Sequence, residues 1–95
     1  MHRRLKLSST DGFALSQAMF ETLLTSKFAD PYMGQVVERG GQVTKRTYCV
    51  GDVRLDVDYN DNGHNSMIVS GKDQGKIGAL IKKLEELEGI NLIDA

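Results

Sequence analysis

The chain has 95 residues, 12 Lys and Arg against 13 Asp and Glu, a formal net charge of -1 and 40% apolar residues. A chain this short buries only about 60–65% of the surface its unfolded form exposes, so it supports one modest core, and its charge excludes a protein that grips nucleic acid by bulk charge alone. No window nears the roughly 18 uninterrupted apolar residues of a membrane span, the first residues lack the apolar stretch of a secretory leader, and a single cysteine, Cys49, excludes an intrachain disulfide; together these place the protein in the cytoplasm with no membrane partner.

Leu5-Lys6-Leu7 alternates as a short strand segment able to join a sheet. Ser8 to Gly12 is a run of turn-forming residues, and beyond it the apolar period becomes helical. Phe13, Phe20, Leu23, Leu24 and Phe28 share one sector of a helical wheel, with Gln17, Glu21 and Thr22 outside it. This spacing predicts an amphipathic helix over residues 12–29, stopped by Pro31, with the stem of Lys27 running along the surface.

Gln35 to Arg39 and Gln42 to Val50 flank Gly40-Gly41, a pair suited to the positive φ of a tight hairpin turn, and Gly51-Asp52 offers a second turn. Val53, Leu55, Val57 and Tyr59 then alternate with Arg54, Asp56 and Asp58, the pattern of a strand with one face buried and one in water. Asn60 to Gly63 is a third turn, and Met67, Ile68 and Val69 mark a more buried strand from His64 to Ser70. Ile77, Leu80, Ile81, Leu84 and Leu87 restore the helical period. Ser70-Gly71-Lys72-Asp73 has the form of a capping box ahead of that helix, Gly89 stands where a left-handed cap would end it, and Ile90 to Ile93 is a short edge strand or a staple for the tail.

The expected fold is α+β in one domain over residues 1–95: an antiparallel meander of about four strands, extended by the Leu5 segment, with two helices packed on one face. Its core should hold Phe13, Phe20, Leu23, Leu24, Phe28, Val53, Leu55, Val57, Ile68, Ile77, Ile81 and Leu84.

Chemistry-bearing motifs are sparse. Asp58-x-Asn60-x-Asn62-Gly63 matches the opening of a calcium-binding EF-hand loop, but the position of the closing glutamate is Val69 and the flanking segments alternate as strands. An Asn-Gly hairpin tip explains the same residues. His64 with Asp61 and Ser66 can be drawn as base, orienter and nucleophile, yet no strained elbow or oxyanion site accompanies them. Cys49 among strand residues reads as a small buried hydrophobe. No catalytic residue, metal or cofactor is expected.

The glycines of the second helix stand out. Gly71, Gly75, Gly78 and Ala79 fall opposite the Ile77 and Leu84 stripe, and Lys72, Lys76, Lys82 and Lys83 frame them. A helix interior glycine costs about 0.5–1 kcal/mol against alanine, and here it leaves a smooth, basic outer face. The bland alternative is a helix that begins near Lys76 with ordinary solvated lysines. Charge is also segregated, positive over residues 2–6 and 72–83 and negative over residues 52–61, so the small net charge is a cancellation.

The order helix, antiparallel strands, helix, with lysines at the start of the last helix, is similar to the topology of double-stranded RNA-binding domains. Gly71-Lys72-Asp73-Gln74-Gly75 resembles the Gly-x-x-Gly loop of KH domains with one residue more. No functional residue follows from either similarity.

The function expected from the sequence is that of a non-enzymatic regulatory protein that docks on a larger protein through Gly71, Lys72, Gly75, Lys76, Gly78, Ala79, Lys82 and Lys83. The alternative is recognition of RNA or a phosphate-bearing ligand by the same lysines, assisted by Arg3, Arg4, Lys45 and Arg46. A sheet edge offers a route to a homodimer.

Overall fold

The computed structural model describes residues 1–61 and 64–95. Among them the elements run β1 (His2–Ser9), α1 (Gln17–Lys27), β2 (Tyr32–Arg39), β3 (Gln42–Val50), β4 (Val53–Asp61), β5 (His64–Ser70), α2 (Gln74–Glu85) and β6 (Ile90–Asp94). The six strands form one antiparallel sheet in the order β2-β3-β4-β5-β1-β6. The α+β expectation holds, with two strands added to the meander. The added strands also separate the fold from a helix, strands, helix topology, because a strand now precedes the first helix and another follows the second.

Alternation sets the two faces. Leu5, Leu7, Tyr48, Val53, Leu55, Val57, Met67 and Val69 are buried on the face that packs against the helices, and Phe20, Leu24, Ile77, Leu80, Ile81 and Leu84 meet them in one core. Pairing across β1 is what makes its Leu5 and Leu7 central: the strand lies between β5 and β6 and not at the margin. Glycine supplies the turns where positive φ is needed, at Gly40 and Gly41 between β2 and β3 and at Gly51 between β3 and β4.

Two core expectations fail. Phe13 is 72% exposed, and Ile68 lies on the opposite face of β5 from the buried Met67 and Val69. A short apolar run gives no parity of its own, so the register with Leu55 and Val57 decides which residues turn inward.

Helix α1 starts later than its apolar period suggests. Residues 9–13 close a turn, with Ser9 N–H donating to Phe13 O and Phe13 N–H to Ser9 Oγ, which carries Phe13 into solvent. The buried Asn65 on β5 then clamps Leu15, accepting from its N–H at 2.7 Å and donating to its C=O at 3.0 Å. Ser16 caps the helix by accepting from Met19 N–H at 3.1 Å, and buried Leu15 and Phe20 occupy the N′ and N4 positions of a hydrophobic staple.

Helix α2 is capped by Asp73, whose Oδ1 accepts from Gly75 N–H at 2.8 Å and Lys76 N–H at 3.3 Å. The capping-box expectation for Ser70 is corrected, because Ser70 is the last residue of β5, opposite His2 and Arg54. Gly89 has the positive φ expected of it, but beyond the helix end at Glu86, in the turn that leads into β6.

Candidate functional site

Two surfaces collect the chemistry, on opposite sides of the molecule. The first is the outer face of α2. Gly75, Gly78, Ala79, Lys82 and Lys83 are all exposed, with Ile77, Leu80, Ile81 and Leu84 buried beneath them. A Cβ placed on Gly78 would meet nothing within 4 Å, so no contact within the chain requires glycine there. Gly71 is different: a Cβ would come within 3.3 Å of Asp52 O and 3.5 Å of Ile77, so this residue serves the packing of the β3–β4 turn against the helix start.

A cleft of about 560 Å³ at the start of α2 is lined by Asp52, Arg54, Gly71, Lys72, Asp73 and Lys76 among others. Lys76 Nζ donates to Asp52 Oδ2 at 2.8 Å; that bond and the attraction between the two charges raise the lysine pKa and lower that of Asp52. The pair is fully exposed and contributes little to stability. Lys72, Lys82 and Lys83 form no salt bridge with a described residue, so they remain the available cations of this side. The acidic Asp73 cap occupies the helix N-terminal N–H groups that a phosphate would need.

The second surface is the sheet face that no described helix covers. Register aligns its side chains into rows: Thr47, Asp56, Ile68 and Arg4 in one, Lys45, Asp58, Ser66, Lys6 and Ile93 in the next. Between them lies a shallow trough of about 570 Å³ whose lining includes Arg4, Val37, Lys45, Thr47, Asp56 and Ile68. Arg54 Nε bonds both Asp56 oxygens at 3.1 and 3.0 Å, Thr47 donates to Asp56 Oδ1 at 2.8 Å, and Lys45 Nζ lies 3.8 Å from Asp58. Arg4 and Lys6 have no ion-pair partner among the described residues. Cys49 lies half-buried on this face opposite Arg54, a placement outside the core that the strand pattern did not reveal.

The basic residues singled out in the sequence therefore do not form one patch. Arg4 and Lys45 face the trough, Arg3 is bonded to Asp94 at 2.7 Å, and Arg46 reaches inward to Glu21 at 3.0 Å.

That last contact belongs to a polar cluster beneath α1 that sequence reading missed, its members lying on α1, β3 and β4. Glu21 Oε2 accepts from Arg46, from Tyr48 Oη at 2.7 Å and from Gln17 at 2.9 Å, and the Tyr48 and Tyr59 hydroxyls bond each other. Burial pushes the Glu21 carboxyl up, but the bonds from Tyr48 and Gln17 and the Arg46 charge outweigh it and hold the group below its ordinary value. Burial, together with these bonds, raises the Tyr48 phenol, and burial raises that of Tyr59. Phe20 packs edge-to-face with both tyrosine rings, so the cluster anchors α1 to the sheet.

His64 and Ser66 share one face of β5, and the register places His64 opposite Asp61. Asn62 and Gly63, the last residues of the calcium-like motif, lie outside the described residues. On both sides of it the chain forms paired strands where an EF-hand has helices. Among the described residues no group of three or more His, Cys, Asp or Glu is placed to hold a metal ion, and no helix is long and apolar enough to cross a membrane. No protein-family model, curated protein or solved structure matches this chain.

Proposed function

We propose that this is a non-enzymatic regulatory protein of the cytoplasm that docks on a larger protein through the outer face of α2, with Gly75, Gly78 and Ala79 as the smooth centre and Lys72, Lys82 and Lys83 as the rim. The observation that carries this reading is Gly78: it is exposed, inside a helix, and free of any contact that would require glycine. Alanine would favour the helix by close to 1 kcal/mol, so the glycine answers to something outside the chain. Close backbone approach by a partner, with its carboxylates on the lysines, supplies that reason.

A second reading, RNA or a phosphate-bearing ligand on the same lysines, is favoured by the absence of counter-ions at Lys82 and Lys83 among the described residues. Asp73 at the helix cap and Asp52 on Lys76 weigh against it, because both set negative charge where phosphate would sit.

Capture from native lysate separates the readings, comparing the parent chain with Lys82→Glu/Lys83→Glu and Gly78→Leu. A protein captured by the parent and lost from both variants supports docking at this face; retention by both refutes it. Nuclease-sensitive capture that falls steeply between about 50 and 200 mM salt favours the second reading.

A further inference from the structure

We infer that the uncovered face of the sheet is the contact surface of a homodimer, in which two copies pack sheet on sheet about a twofold axis that runs along β5. This goes beyond the docking face on α2, which lies on the other side of the molecule and stays free in such a pair.

The inference rests on self-complementary charge. The face carries two cations on β1, Arg4 and Lys6, without an ion-pair partner among the described residues, and two carboxylates on β4, Asp56 and Asp58, each already beside a cation of its own chain, Arg54 and Lys45, with β5 between them. The rows are matched: Arg4 and Asp56 flank Ile68, and Lys6 and Asp58 flank Ser66. A twofold axis over β5 therefore lays Arg4 on Asp56 of the second copy and Lys6 on its Asp58, and the reverse pairs form by the same operation. Ile68 meets its own equivalent on the axis. No like charges are opposed in either row.

Shape agrees with charge. Arg4 and Lys6 on β1 are long, whereas Thr47 and Asp56, which they would face from the other copy, are short and line the trough between the longer Lys45 and Arg54. Packed sheets stand about 10 Å apart, a gap that an arginine or lysine reaching down to an aspartate spans. Asp56 already accepts from Arg54 and Thr47, and a carboxylate has roughly four lone-pair sites, so Arg4 of the other copy adds a bond without displacing one. Six strands at about 4.8 Å spacing and some seven residues long give about 600 Å² in projection, close to the roughly 800 Å² of accessible surface that each partner buries in a standard interface. Nucleic acid fits the face less well, since Asp56 and Asp58 repel phosphate and Tyr32, on the edge strand β2, is its one strongly exposed aromatic among the described residues.

Charge reversal with complementation tests this. The full chain, Arg4→Asp/Lys6→Asp and Asp56→Arg/Asp58→Lys are measured by sedimentation equilibrium, with circular dichroism to confirm folding. The parent chain is expected to be dimeric at about 50 mM salt and to dissociate as salt rises. Each variant alone should be monomeric, with self-association weakened at least tenfold, and an equimolar mixture should recover a heterodimer. Arg4 and Lys6 are exposed and unpaired with any described acid, so the first variant keeps the test open if the second fails to fold. A monomeric parent chain overturns the inference, as does a dimer that persists in the first variant, which would place the contact elsewhere, such as the β6 edge. A parent chain that stays monomeric but binds oligouridylate assigns the face to nucleic acid and overturns it too. None of these outcomes bears on capture through α2, so the two proposals fail separately.

Discussion

Replacing Gly78 by alanine should make the protein more stable. Gly78 is the fifth residue of α2, its side of the helix is exposed, and a Cβ would meet nothing within 4 Å. The substitution therefore exchanges backbone freedom in the unfolded chain for helix propensity with no steric cost, a gain of about 0.8–1.0 kcal/mol. For a domain of this size that raises the melting temperature by about 3–8 °C. Gly75→Ala is the internal control. Its Cβ would lie 3.2 Å from Asp73 Oδ1, the atom that accepts from both Gly75 and Lys76, and disturbing a cap costs about 0.5–2 kcal/mol. The gain at Gly75 should thus vanish or reverse. Thermal melts followed by circular dichroism at matched concentration check both. A Gly78→Ala protein no more stable than its parent would refute the argument, because it would mean that the glycine serves the fold after all. If that variant is stabilised and captures partner protein as well as its parent does, Gly78 is not part of the contact.

Asn65→Ala should cost about 2–5 kcal/mol, because it strands the buried N–H and C=O of Leu15, which among the described residues pair with the Asn65 amide atoms; urea denaturation showing a loss below about 1 kcal/mol would contradict the clamp. Met67→Ala should cost about 2–5 kcal/mol and Ile68→Ala less than about 1, and the reverse order would place β5 one residue out of register. The depressed carboxyl of Glu21 contributes stability that is full above the ordinary carboxylate pKa of about 4.3 and lost as pH falls through its lower folded value. Glu21→Gln should flatten the acid limb of the stability profile, and an unchanged limb in urea titrations between pH 2 and 6 (about the span of carboxylate titration) would assign acid sensitivity to other groups.

Local patterning carried most of the fold. Val53 to Tyr59 alternates over a full strand, Gly40-Gly41 demands its turn, and the Ile77 to Leu84 spacing admits only a helix, so β4, the first hairpin and α2 are readable from neighbours in sequence. What escaped depended on partners distant in sequence. Ile68 turns away from the core because parity in β5 comes from β4, and Phe13 leaves the helix pattern because the turn at Ser9 and the Asn65 clamp on Leu15 both delay the start of α1. The α2 surface was visible because a helical wheel needs only local spacing. Neither the Glu21 cluster nor the alignment of Arg4 with Asp56 was visible, since each is assembled from separate strands brought side by side.

The place of β1 between β5 and β6 governs the order in which this chain can fold. The meander from β2 to β5 joins neighbours by short turns and can form as it is synthesised, at about 5–20 residues per second. β1, made first, must wait with Leu5 and Leu7 unburied until β5 exists, and β6 has no strand to pair with until β1 has docked. Closing such a long loop is slow compared with a hairpin, so the rate-limiting event should be the return of β1 to the β5 edge. Until then that edge is an open template for another chain, and the earliest-made strand doubles as the cover that prevents misassembly.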